Sequence, residues 1–309
     1  MSGPATPASP SPSPSPVTGL VFAFVGAIAF SAKAIIVKLA YRHGVDAVTL
    51  IMYRMLFALP IFAAMAWWAS RGKPPLTRRD WLGVAWLGFT GYYLASFLDF
   101  AGLAYISASL ERLILYLNPT LVVLLGWVLY RRRVRWLQVV GMGISYCGVL
   151  LVFGSEANLQ GAHVGWGVLL VFLSAVSYAI YLVYSGEMVR RLGALRLVGL
   201  ATTVACLCCL LQFVLLRPLS AALVAPQVLW LSLLNATLCT AVPVLLVMLA
   251  IERIGADLTA QTGMIGPLST ILMGVWLLDE PFTLTIAAGT VLVMTGIYVF
   301  TRMARRRTG

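Results

Sequence analysis

Charge is scarce in this chain. Only 10% of its 309 residues are Asp, Glu, Lys or Arg, against about 25% in soluble domains. With 61% apolar residues and a mean hydropathy of +0.94, a soluble enzyme is excluded. Acidic residues are scarcer still, ten against 22 basic, and histidine occurs twice, as His43 and His163. No HExxH, GxSxG or GxxxxGK[ST] pattern occurs, so the usual signatures of zinc proteases, serine hydrolases and ATP-driven machines are missing. No catalytic residue, metal or cofactor is expected. The five cysteines, Cys147, Cys206, Cys208, Cys209 and Cys239, all fall inside apolar runs, with no CxxC pair accompanied by partner ligands and no partners in loops. They read as small packing residues.

What the chain has instead is apolar runs of about 20 residues, each long enough to cross about 30 Å of hydrocarbon as a helix. Ten can be delimited, at 18–40, 47–69, 81–103, 107–130, 135–154, 165–187, 195–216, 226–249, 257–278 and 283–302. The expected fold class is an all-α polytopic membrane protein. Residues 1–17 are Pro/Ser-rich and uncharged, a composition that cannot bury enough apolar area to order itself. They lack the basic stretch of a signal peptide, so the first span is expected to act as its own uncleaved signal.

The net charge of +12 need not mean nucleic acid. With the N-terminus placed in the cytoplasm, sixteen loop and tail Lys/Arg residues fall on the cytoplasmic side and only Arg42 and Arg217 on the other. That asymmetry is the positive-inside rule. It predicts a multi-pass protein of the plasma membrane, the inner membrane in a bacterium, with both termini cytoplasmic and the bilayer, not nucleic acid, as partner. Residues 303–309 would then be a basic cytoplasmic tail.

A shift of 148 residues lays the end of one half over the end of the other. Pro119 meets Pro267, Gly126 meets Gly274, Gly141 meets Gly289 and Gly148 meets Gly296. The expectation is a duplication: a first five-helix repeat at 18–154, an outer linker at 155–164 and a second five-helix repeat at 165–302. Five is odd, so the second repeat enters the membrane from the opposite side. Inverted repeats of this kind build secondary transporters, with the substrate site near the midplane between halves.

Several stretches carry a family resemblance. "AFSAKAIIVKLA" with Lys38, "MYRMLFALPIF" with Arg54, and the paired "ISASLERLILYLNPTLVVLLGWVL" and "IGADLTAQTGMIGPLSTILMGVWLLDEP" are similar to motifs of the EamA-type exporters of the drug/metabolite transporter superfamily. The resemblance covers about 18–302. One departure is Tyr130-Arg131-Arg132, where the family has Gly-Glu; the second half keeps Asp279-Glu280-Pro281. The resemblance implies a ten-helix exporter of amino acids, aromatic ones included, or of similar metabolites.

Ionisable groups at a helix centre cost about 2.5–3.5 kcal/mol each on insertion scales, so each asks for a partner or a task. Counted by depth, Asp99 and Arg112 lie level on neighbouring helices and are expected to form an intramembrane ion pair. Lys33, Glu111, Asn118, Tyr93, Tyr178, Asn235 and Gln261 are the candidate substrate-binding residues, offering charged, neutral polar and flat apolar contacts. Pro119 and Pro267 each break a helix at mid-membrane and are candidate hinges. Asp99 and Glu111 are the carboxylates deep enough to carry a proton, the candidate coupling ion. The expected function is secondary transport of a small metabolite, an amino acid foremost, by alternating access around a midplane cavity. The alternatives are a multidrug or lipophilic-cation transporter of the same fold, another metabolite transporter, or a membrane-embedded enzyme.

Overall fold

A computed structural model describes residues 16–131, 134, 136–160 and 163–305; the side chains of residues 16, 158–160, 252, 256, 257, 260, 261 and 301–305 are outside it. The first half contains α1 (Pro16–Tyr41), α2 (Ala47–Ser70), α3 (Arg78–Leu87), α4 (Ala95–Leu103), α5 (Ala108–Leu115), α6 (Asn118–Tyr130) and α7 (Trp136–Gln160). The second contains α8 (His163–Leu192), α9 (Ala194–Leu216), α10 (Pro226–Ala236), α11 (Val242–Gly263), α12 (Gly266–Leu278) and α13 (Leu284–Arg305). Seven stretches of the described chain are helices long and apolar enough to cross a membrane, and Gly266–Leu278 and Leu284–Phe300 are shorter apolar helices.

The apolar runs are less regular as helices than as sequence. α3 passes into α4 through a π-helical stretch, Gly88–Leu94, and α10 passes into α11 through another, Thr237–Ala241. α11 is bent at Gly255, whose φ of 80° and ψ of 161° are not helical. Pro119 and Pro267 do not sit in mid-helix: each occupies the first turn of a new helix, α6 and α12. There its missing N–H costs nothing. The breaks fall just before, at Tyr116-Leu117 and Met264-Ile265. α7 also outruns its apolar stretch, continuing to Gln160.

These irregularities repeat. The 148-residue shift carries α6 onto α12 and α7 onto α13 at their first residues (118 to 266, 136 to 284), and α3 onto α10 (78 to 226). It carries one π-helical stretch onto the other. α6 and α12 even end alike, on the left-handed residues Arg131 (φ 49°) and Asp279 (φ 58°), whose N–H groups return to Gly126 and Gly274.

Packing follows the same relation. α1 lies along α11 and α8 along α4, the same contact made twice; α2 lies along α9 and α7 along α13, each against its own equivalent. In the last pair a Cβ on Gly141 would meet the Gly296 carbonyl at 2.7 Å, and one on Gly148 would meet the Gly289 carbonyl at 2.7 Å. Gly141 corresponds to Gly289 and Gly148 to Gly296, so the two helices cross antiparallel with reciprocal contacts, the pattern of a twofold relation. Only glycine lets the backbones approach this closely. The buried apolar core lies between the halves, with Ile35, Leu50, Met55, Phe62 and Phe100 from the first against Cys206, Cys209 and Ala236 from the second.

Candidate functional site

Where the halves meet, α1, α2, the α3–α4 and α5–α6 spans, α8 and the α10–α12 segment enclose a cavity of about 610 Å³. That is within the range of about 300–1,000 Å³ of ligand pockets. Its walls are mostly apolar. Polar and charged groups enter at Lys33, Arg54, Tyr92, Asp99, Arg112, Asn118, Tyr178 and Thr240. Phe30 and Tyr178, equivalent under the 148-residue shift, both line it.

The charged side chains are almost wholly buried: Lys33 is 6% exposed, Arg54 6%, Asp99 3%, Arg112 4% and Glu111 0%. Lys33 Nζ pairs with Asp99 Oδ2 and lies 3.1 Å from Glu111 Oε1. The second contact is an ion pair without hydrogen-bond geometry, since neither Glu111 oxygen has a hydrogen-bond partner among the described residues. The expected Asp99–Arg112 pair is therefore not formed. Arg112 instead donates from Nε to Thr270 Oγ1 (2.9 Å) and from Nη2 to the Phe30 and Ser31 carbonyls (3.3 and 3.2 Å). Its guanidinium sits 5.7 Å from the Phe30 ring centre. Depth matched Asp99 to Arg112, but the azimuth on α5 did not: Glu111 faces α1's lysine, and Arg112 faces the α1 backbone and α12.

Arg54, on α2, donates from Nε and Nη2 to Thr240 Oγ1 (3.3 and 3.1 Å), and its guanidinium lies 5.1 Å from the Phe100 ring centre. Thr240 is fixed in turn by a 2.8 Å hydrogen bond to the Asn235 carbonyl, five residues back, a spacing the π-helical stretch provides. Arg54 crosses from one half to the other.

Of the seven candidate binding residues, Lys33, Asn118 and Tyr178 reach the cavity. Lys33 is already held by two carboxylates, so it is not a free anchor. Asn118 donates from Nδ2 to the Leu115 carbonyl (2.8 Å), closing the end of α5, and its Oδ1 has no partner among the described residues. Tyr178 stacks on Tyr181 at 5.5 Å, and Tyr181 shares a 3.1 Å hydrogen bond with Tyr92. Glu111 lies behind Lys33, off the cavity wall. Tyr93 is half-buried at the edge of the core, its ring 5.2 Å from that of the exposed Phe89, and its neighbour Tyr92 lines the cavity instead. The Asn235 side chain is buried off the cavity, with no partner for either polar atom among the described residues. The Gln261 side chain lies outside the described residues.

A second depression, of about 450 Å³, lies at the end of the bundle where α1 finishes. There the start of α5 is held by three acceptors. Ser107 Oγ caps the Leu110 N–H at 3.0 Å, Glu156 of α7 accepts from the Ser107 N–H and hydroxyl, and Glu280 accepts from the Ala108 N–H (2.7 Å) and the Ser109 hydroxyl (2.9 Å). Carboxylates at a helix N-terminus are stabilised by its dipole. Lys38 donates to the Leu103 and Ile106 carbonyls (3.3 and 2.8 Å), and Arg42 donates to the Leu278 carbonyl (2.7 Å). Glu280 and Arg42 tie the halves together here. Glu156 was hidden in the sequence because it lies beyond the apolar run, in what reads as a loop.

Known proteins share this two-part plan in sequence. The EamA-like transporter family matches residues 17–154 and 165–302. The uncharacterized transporter YcbK of Bacillus subtilis (strain 168) is 30% identical over 275 residues, covering 85% of this chain and 86% of its own. An uncharacterized transporter of Archaeoglobus fulgidus is 22% identical over 275 residues, covering 88% and 93%. A crystal structure with 20% identity superposes at a TM-score of 0.61 over 96% of this chain and all of its own, a likeness of fold. The chain is a membrane transporter and belongs to the EamA-like transporter family.

Proposed function

We propose that this chain is a ten-span secondary transporter, built of two inverted repeats, that carries a small carboxylate-bearing metabolite through the cavity between its halves by alternating access. Amino acids, the class expected from the sequence, belong to that group. The observation that carries the reading is the cavity itself. It sits where equivalent elements of the two halves cross, with Phe30 and Tyr178 at matching positions on its walls. A site on the axis relating two halves can be opened from either side by the same rocking motion, reversed. The reciprocal α7–α13 crossing supports this arrangement, and Glu280 and Arg42 are the cross-half contacts that would part when the α5 end opens. The basic-residue asymmetry supports a plasma-membrane orientation with both termini cytoplasmic. Asp99 and Glu111, tied to one lysine, are the pair through which a proton gradient would couple.

The test is solute flux in liposomes containing only this protein. Uptake of radiolabelled carboxylates and amino acids should exceed that of protein-free vesicles, and E111Q should remove any acceleration by an imposed pH gradient. Absence of flux for every solute of this class, from folded protein, would overturn the reading.

A further inference from the structure

We propose that the central cavity selects an organic monoanion, a carboxylate on an apolar body without an ammonium group, and that Arg54 is its anchor. This rests on the transporter reading for what happens to the ligand afterwards, but not for the binding.

Among the described residues, Lys33, Arg54 and Arg112 stand against Asp99 and Glu111, three cations to two carboxylates, a formal surplus of one positive charge in the buried cluster. Both carboxylates are taken by Lys33. Among the described residues neither arginine has a carboxylate within ion-pair distance; Arg112 is nevertheless held by Thr270 and two carbonyls. Arg54 is held less fully. Two of its nitrogens share one hydroxyl, that of Thr240, and Nη1 is buried with no partner among the described residues, in a side chain that lines the cavity. A guanidinium cannot shed its proton to escape such a position. Its fork suits the two oxygens of a carboxylate.

A monoanion seated on Arg54 brings the cluster to neutrality and satisfies Nη1. A zwitterion brings no net charge, and the one carboxylate among the described wall residues, Asp99, is already paired with Lys33 through Oδ2, so its ammonium would meet only Oδ1 and compete with that lysine. A cation adds to the surplus. Phe30 and Tyr178 give the ligand's apolar body two aromatic surfaces, and Arg112 beside Phe30 extends the positive field over that wall.

Four probes of one shape separate these cases: 3-phenylpropionate, 3-phenylpropionamide, phenylalanine and phenethylamine. Equilibrium binding to the full chain in lipid nanodiscs should rank the propionate first, by about tenfold or more over each of the others. R54Q should remove the preference of propionate over its amide, and R54K should restore part of it. Should R54Q fail to fold, the wild-type order alone decides. Phenylalanine or phenethylamine binding as tightly as the propionate would overturn the proposal, as would an unchanged preference in R54Q or no binding by any member of the series. Flux in liposomes keeps the two readings apart. The expected binding order without transport would remove the transporter reading and leave this one, whereas preferential transport of phenylalanine would do the reverse.

Discussion

The two halves share a backbone plan down to their defects, yet among the described residues the buried charges at the centre come from the first half. Under the 148-residue shift Lys33 corresponds to Tyr181, Arg54 to Thr202, Asp99 to Val247, Glu111 to Thr259 and Arg112 to Ala260. The π-helical stretches, the proline restarts and the left-handed ends of α6 and α12 are kept in both. Symmetry therefore governs how the halves cross and where the cavity opens, and asymmetry governs what the cavity can hold. The ends differ in the same way. Glu280 caps the start of α5, while the corresponding sequence position in the first half is Arg132, a group that cannot cap a helix N-terminus.

Replacing matched residues in the two halves sharpens this contrast. The largest effect is expected at Lys33. K33M strands Asp99 and Glu111 without their cation, and removing one partner of a buried pair costs about 3–5 kcal/mol. The matched Y181F loses one hydrogen bond to Tyr92, worth about 0.5–1.5 kcal/mol. Thermal unfolding in detergent should show K33M far below Y181F, and K33M/D99N/E111Q should recover most of the loss. Equal losses for K33M and Y181F would erase the distinction between halves.

That lysine also marks how far sequence could lead. Apolar runs marked an all-α membrane protein because membrane crossing has a length and a composition, and seven described stretches meet both. The prolines and glycines at one shift gave the duplication because backbone needs repeat when a fold repeats. Depth along each helix was legible too, and it placed Lys33, Asp99, Glu111 and Arg112 near one another. Azimuth was not legible. Helices broken at Tyr116-Leu117 or loosened by a π-helical stretch turn their side chains by amounts that no residue spacing records. So Asp99 met Lys33 instead of Arg112, Tyr92 took the wall in place of Tyr93, and Arg54 emerged as a cavity group only once Thr240 was placed opposite it.

An intermediate effect is expected where the halves are most alike. In G141A and G296A the added methyl would meet a backbone carbonyl of the opposite helix, which cannot move aside as a side chain can. Each should cost about 1–3 kcal/mol, as overpacking does. Because these two glycines face each other in one contact, their losses should fail to add in the double variant, and G289A, the equivalent of G141A under the 148-residue shift, should lose about as much as G141A. A large loss at Gly141 without one at Gly289 would break the twofold relation. The smallest effect is expected at the cap. E280Q weakens the hold on the α5 N-terminus and should cost about 0.5–2 kcal/mol, the range for helix caps. Hydrogen exchange should place the change in residues 108–111, and a change confined to α12 would remove Glu280 from that role.

Alternating access would require one half to rock against the other, and a covalent tie tests that most directly. Ser109 and Glu280 face each other across the halves, with Oγ and Oε2 2.9 Å apart. S109C/E280C, in a background with the five native cysteines replaced, can be bridged by a short bifunctional thiol reagent. Bridging should hold the α5 end shut, so that flux in liposomes stops while ligand binding from the other side persists, and a cleavable bridge should restore flux on reduction. Flux that continues undiminished through quantitatively bridged protein would contradict the account.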